Sequence, residues 1–252
     1  MRREYPILEF DPERRAMIEP APNRSVDMPE HCVVCFFQDV ITGLREAGRM
    51  REVWLLGSEM GTHPVYELDI NGQRIALFHP GVGAPLAAAF LDEVIGLGCR
   101  KFIACGGAGV LDGEIAMGHL VVPTVAVRDE GTSYHYLPPA REVAASPMGV
   151  AAIEVTLREQ GASYLLGKTW TTDAIYRETP AKVRRRREEG CLTVEMEAAA
   201  FFAVAEFRGV TFAQILYGGD NLGGDEWNSR DWVRSPVRDR LLWLAIDACL
   251  RL

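Results

Sequence analysis

Glu195-Met196-Glu197 places two carboxylates around a methionine, directly ahead of the apolar run Ala198-Ala199-Ala200-Phe201-Phe202. Acids at a helix start complement the positive end of the helix dipole. The run that follows is apolar enough to bury that start, and a buried carboxylate needs hydrogen-bond donors. Sugar hydroxyls are good donors, so the pair has two readings: dipole complementation, or a grip on a sugar. Asp220 follows the apolar stretch 210–216 through Tyr217-Gly218-Gly219. Against apolar walls an aspartate has a raised pKa and can serve as a general acid. Standing before Asn221 and Gly223, it fits a turn or cap equally well.

Gly81 and Gly83, in His79-Pro80-Gly81-Val82-Gly83, and Gly106, Gly107 and Gly109 would let the backbone approach a ligand closely. Their N–H groups could hold an anion. The spacing is neither a dinucleotide fingerprint nor a Walker loop, and tight strand-to-helix packing explains it as well. The polar stretches Arg128, Asp129, Gly131, Thr132, Ser133, His135 and Asp173, Tyr176, Arg177 read as solvated loops. Tyr176 could also stack on a flat heterocycle. Six cysteines stand at 32, 35, 99, 105, 191 and 249. Cys32 and Cys35 form a lone CxxC in an apolar run, without the second pair or the histidines of a zinc site. They read as buried thiols, and no metal is expected.

The elements that must position these residues alternate along the chain. Residues 1–30 carry Pro6, Pro12, Pro20, Pro22 and Pro29 and read as an extended arm. Residues 31–252 read as one α/β domain. Strands are expected over 52–56, 101–105, 119–127, 165–171 and 210–216, with a hairpin at Asn71-Gly72 between strands 65–70 and 73–79. Helices are expected over 84–97, 150–160, 183–189 and 236–252. Such alternation argues for helices covering a mostly parallel or mixed sheet, with ligands beyond the carboxyl ends of strands. The 252 residues are 48% apolar and 25% charged, which excludes a disordered chain or a disulfide scaffold. A net charge of −8 excludes general nucleic-acid binding, and the Arg184–Arg187 run reads as a solvated helix face. No apolar run reaches membrane-spanning length and no signal-peptide stretch is seen, so a cytoplasmic protein is expected.

Read together, these segments resemble the nucleoside phosphorylase family, which includes purine nucleoside phosphorylases, uridine phosphorylases and related nucleosidases. The resemblance runs from about Val53 to Leu252. It rests on HPGVGAP (79–85), GGAGVL (106–111), GHLVVPT (118–124), VRDEGTSYHYLPP (127–139), TTDAIY (171–176) and, most diagnostic, VEMEAAAF (194–201). It implies a three-layer α/β fold with a mixed, distorted, barrel-like central sheet flanked by helices, and cleavage of a nucleoside's N-glycosidic bond. No cofactor is implied beyond inorganic phosphate as co-substrate, and the assembly implied is a homo-oligomer, a dimer or hexamer. Met196 and Glu197 would hold the ribose, with Glu195 beside them. Ile175 and Tyr176 would border the base, Asp220 would protonate it, and Gly83 and Gly106 would line the anion or nucleophile pocket. Asp220 favours a purine-type base. The 127–139 stretch is nearest the uridine branch, although Thr179-Pro180-Ala181 stands where that branch reads its pyrimidine with Gln and Arg.

Three departures concern phosphate. The family's Gly-Asp-Pro-x-x-Arg loop is replaced by CVVCFFQDV (32–40). In its Arg-x-Gly-Thr-x-Gly run, Lys101 takes the arginine's place and Ala104 the threonine's, while a third arginine falls near Gly61. Lys101 is then the remaining cation, with Arg51, Arg177 or a neighbouring subunit as helpers. Lys keeps the charge but not the bidentate fork. Phosphorolysis is the family's reaction, hydrolysis the alternative, and nucleoside binding without catalysis a further one.

Overall fold

In the computed structural model, residues 3–20, 26–224, 226–230 and 237–252 are described. Pro236, the expected start of the closing helix, lies outside them, as do residues 1–2 and 21–25 of the arm. Residues 3–20 hold a short 3-10 turn, Pro6–Leu8, and otherwise run without helix or strand.

The chain then alternates. β1 (His31–Cys35) leads to α1 (Gln38–Glu46), and β2 (Arg51–Ser58), β3 (Gly61–Ile70) and β4 (Gln73–Phe78) lead to α2 (Ala84–Leu97). β5 (Lys101–Val110), β6 (Leu120–Asp129), α3 (Ser133–Tyr136) and β7 (Glu142–Ala144) follow, then α4 (Pro147–Glu159) and β8 (Tyr164–Thr172). The chain closes through α5 (Pro180–Glu188), β9 (Cys191–Glu195), α6 (Ala198–Arg208), β10 (Thr211–Asn221) and α7 (Val237–Cys249). The expected hairpin forms with Asn71 at φ 55° and Gly72 at φ 85°, the pair of positive φ angles that a tight two-residue turn demands.

Five strands close on themselves. β5 pairs with β10 in parallel, β10 with β6 antiparallel, β6 with β8 and β8 with β9 in parallel, and β9 returns antiparallel to β5. From β5 a wing opens through β1, β4, β3 and β2. Strands 101–105 and 210–216 are therefore longer than their apolar runs suggest, reaching Val110 and Asn221. The glycines after Cys105 continue the strand because ring closure brings Tyr217 within 3.1 Å of a Cβ at Gly107.

Side chains alternate between two helical layers, as strand geometry requires. Cys32, Val34 and Ala104 face α2 and α6, whereas Val33, Cys35 and Ile103 face α4 and α7. The two cysteines of the CxxC thus point to opposite sides, and all six thiols are buried and unpaired. Arg208 ties α6 to α2 through two bonds to Asp92, at 2.6 and 2.8 Å.

α4 lies close on β10 at Gly149, where a Cβ would stand 2.7 Å from that of Ala213 and 3.2 Å from its backbone nitrogen. Alanine gains about 1 kcal/mol of helix propensity, but overpacking costs about 1–3 kcal/mol. Gly149→Ala is expected to lower the urea midpoint with an unchanged slope; a raised midpoint would contradict this packing account.

Candidate active site

At the carboxyl ends of β5, β9 and β10 lies a cavity of about 270 Å³, bordered by the segments that follow β1, β4 and β8. Among the described residues that line it are Glu178, Glu195, Glu197 and Asp220, with Arg238 as the cation. The sequence-derived candidates Met196 and Ile175 also line it.

The paired carboxylates have different partners. Glu195 ends β9, and its Oε1 accepts from the hydroxyls of Thr171 at 2.6 Å and Thr169 at 3.5 Å. Its Oε2 accepts from the backbone N–H groups of Glu197 at 2.7 Å and Ala198 at 2.6 Å, capping the start of α6. Burial raises its pKa to about 7 against the pull of these donors. Glu197 is 6% exposed, and its Oε1 accepts from Gly83 N–H at 2.5 Å. Burial and the charge of Glu195 raise it to about 8. Gly83 has φ +91°, a conformation that suits glycine and turns its N–H toward the carboxylate. Dipole complementation therefore describes Glu195. Glu197 is the carboxylate with acceptor capacity left for a ligand.

Asp220, near the end of β10, accepts from Trp227 Nε1 at 2.7 Å. A Cβ at Gly109 would lie 3.3 Å from its carboxylate and 2.5 Å from the tip of Leu222, so the strands pass closely here. Glu178 shares this end of the cavity, and burial plus the negative charge of Asp220 push it up to about 7, with Lys182 opposing. Tyr176 is 95% exposed and is not brought to the wall, in contrast to its neighbour Ile175.

Among the described residues of this chain, the expected cations Lys101, Arg51 and Arg177 do not line the cavity. Lys101 begins β5, opposite His31 and Thr211, and pairs with Glu30 at 3.1 Å. It lies six residues from Gly107, roughly 20 Å at strand rise. Gly107 and Gly109 are the glycines of this run that reach the cavity, and Lys101 is not among its lining residues. Gly106 is covered by Phe36, whose ring would sit 3.0 Å from a Cβ there. Arg51 pairs with Glu67 on the outer wing, Arg177 is exposed, and Gly61 opens β3.

Phe36, His79, Gln214 and Arg238 line the cavity instead. His79 Nδ1 accepts from Gly81 N–H at 3.0 Å, and burial lowers its pKa, so the ring is neutral at pH 7. Arg238 bonds Tyr217 Oη at 3.3 Å and Asp39 at 3.2 Å, over the ring of Phe37. Gln214 is 1% exposed and its Oε1 meets no donor among the described residues. An unmet buried acceptor costs about 1–3 kcal/mol. Its sequence signal was visible, a lone amide in the apolar run Thr211–Leu216; Glu178 and Arg238 gave none.

Two expectations of solvated residues also change. Arg128 is buried and bonds Ser133 and the carbonyls of Leu137 and Pro138. Arg186 is buried against Trp170 and pairs with Asp129 at 3.0 Å. Both brace the β6–β8 side of the ring.

This fold and cavity define an α/β enzyme of the phosphorylase superfamily, to which the chain belongs; that family's model matches residues 30–241. Guanosine phosphorylase of Halorubrum lacusprofundi is 29% identical over 187 residues, 71% of this chain and 76% of the relative. The crystal structure of Vibrio fischeri uridine phosphorylase superposes with a TM-score of 0.75 at 25% identity, covering 90% of this chain and 93% of that one. Toxoplasma gondii purine nucleoside phosphorylase shares the fold, with a TM-score of 0.77 at 18% identity over 89% of this chain and 92% of its own. The architecture is thus the nucleoside phosphorylase fold. Among the described residues no helix is long and apolar enough to cross a membrane, and no group of three His, Cys, Asp or Glu residues could hold a metal ion.

Glu195 and Glu197 are raised in the folded state, so between the ordinary 4.5 and about 8 the folded chain binds more protons than the unfolded one. Stability is expected to fall as pH rises through that window, and the contribution of the pair is fully present below it. The unliganded melting temperature should drop from pH 5.5 toward 8.5 (values chosen to bracket roughly that interval). The drop should be smaller in Glu197→Gln; an equal drop would mean that Glu197 is not the group responsible.

Proposed function

We propose that this enzyme cleaves the N-glycosidic bond of a nucleoside, with a purine-type base favoured and uridine the alternative. The observation that carries the reading is the pairing of Glu197 and Asp220 across one cavity. Both line it; Glu197 has spare acceptor capacity beside Gly83, and Asp220 is held by Trp227. Breaking this bond passes through an oxocarbenium-like ribosyl centre. Glu197 would hold the ribose hydroxyls beside Met196, which positions the sugar. Hydroxyl donors would also favour the ionised form of a carboxyl that burial otherwise keeps protonated. Asp220 would protonate the departing base. Glu178, held near 7 beside it, can resupply that proton. Ile175 would border the base.

The printed names of two relatives point to guanosine and uridine as substrates and to phosphate as the acceptor. Phosphate would give ribose 1-phosphate. Water, the second acceptor, would give free ribose, and the absence of Lys101 from the cavity favours it. The proposal includes nucleoside salvage or catabolism in the cytoplasm and a homo-oligomeric assembly, as the family resemblance implies.

Glu197→Ala is expected to lower kcat/KM by about 10²-fold or more, on the scale of a lost charged hydrogen bond and a misplaced sugar. Ribonucleosides should suffer more than their 2′-deoxy counterparts; equal losses would remove the assigned role. Asp220→Asn should slow purine nucleosides by roughly 10²–10⁴-fold and leave a nitrophenyl riboside, whose leaving group needs no proton, nearly unaffected. Equal slowing of both substrates would make Asp220 a structural partner of Trp227.

A further inference from the structure

We propose that the floor of the cavity seats a neutral nucleophile, water, and that Gln214 holds it; this rests on the glycosidic-cleavage reading. Gln214 sits in the middle of β10 opposite Ala104 of β5. Its side chain is 1% exposed, borders the cavity, and has an amide oxygen without a donor among the described residues. A buried acceptor calls for a ligand that brings a hydrogen. Water brings two and carries no charge, whereas a phosphate dianion brings one hydroxyl with a double negative charge that needs cations or clustered N–H groups.

The surroundings agree. Phe36 and the neutral ring of His79 border the same cavity. Phe36 also packs over Gly106, filling the space an anion would need at that backbone. Arg238 is engaged by Asp39 and Tyr217. Glu197, bordering the same cavity, would repel a dianion when ionised and can accept the second hydrogen of a water. A water placed between the Gln214 amide and a carboxylate of the cavity would have the two or more polar contacts an ordered water requires.

In the reaction, the water oxygen bonds to carbon 1′ as the bond from carbon 1′ to the base nitrogen breaks. The electron pair of that bond goes to the base, which takes a proton from Asp220. The proton lost by the attacking water passes to solvent, and Asp220 is reprotonated from solvent by way of Glu178. The sum is nucleoside plus water giving free base and ribose.

The test incubates the full chain with inosine, adenosine, guanosine and uridine, in phosphate-free buffer and with added inorganic phosphate, and identifies the sugar product. Free ribose, formed at a rate that phosphate does not raise, is expected. Gln214→Met should lower kcat by about 10²-fold, the scale of a misplaced reactant, with KM nearly unchanged. Gln214→Asn, which keeps an amide at shorter reach, should recover part of the loss. In water–methanol mixtures, Gln214→Met should change the ratio of methyl riboside to ribose, a partition that loss of stability alone leaves untouched. Saturable phosphate dependence with ribose 1-phosphate as the sugar product would overturn the water seat while leaving glycosidic cleavage intact. A wild-type kcat and product ratio in Gln214→Met would remove Gln214 from it. Base release from none of the nucleosides under either condition would overturn both readings.

Discussion

The buried carboxylate of Glu195 fixes the junction on which the cavity depends. It receives the hydroxyls of Thr169 and Thr171 from β8 and the first N–H groups of α6. Thr171 in turn accepts from Ala199 N–H at 2.9 Å. Strand β8, strand β9 and helix α6 are thereby locked at one point, and leaving such a carboxylate without its donors would be strongly destabilising. From this anchor Glu197, two residues on, is carried toward the start of α2, where Gly83 meets it. The site is thus built from a helix cap: one acid is used up inside the protein so that the next can stay available to a ligand.

Closure of the five-strand ring supplies the rest. β5 and β10 run in register from Lys101 and Thr211 to Ala108 and Gly218, so the Gly-rich end of one strand meets Asp220 near the end of the other. The ring also puts acids at both ends of one small cavity. Desolvation there raises Glu178, Glu195 and Glu197 together. In such surroundings neutral hydroxyls, a protonatable base and a neutral nucleophile are compatible ligands, and a second unpaired anion is costly. Among the described residues four acids and one cation, Arg238, line this cavity, so its electrostatics favour neutral ligands.

The sequence by itself determined the alternation of strands and helices, the hairpin at Asn71-Gly72, and the family resemblance carried by VEMEAAAF. Each rests on local chemistry: side-chain periodicity, a turn that needs two positive φ angles, and an acidic pair ahead of an apolar helix. It also brought Glu195, Glu197 and Asp220 forward as candidates, because charged residues beside apolar runs stand out in a linear sequence, and Met196 through the family resemblance. Tertiary structure decided what each one touches. That Glu195 is a cap and Glu197 a partner of Gly83 depends on donors from residues 169, 171 and 83, which no local pattern connects. Lys101 stands away from the cavity because it opens β5 while the cavity lies at that strand's carboxyl end, a placement that only the packed strands show. Glu178 and Arg238 entered the cavity wall, and Tyr176 stayed outside it, for the same reason: whether a side chain on a connecting segment faces a cavity or solvent is set by the elements packed against it, and those lie far away in the chain.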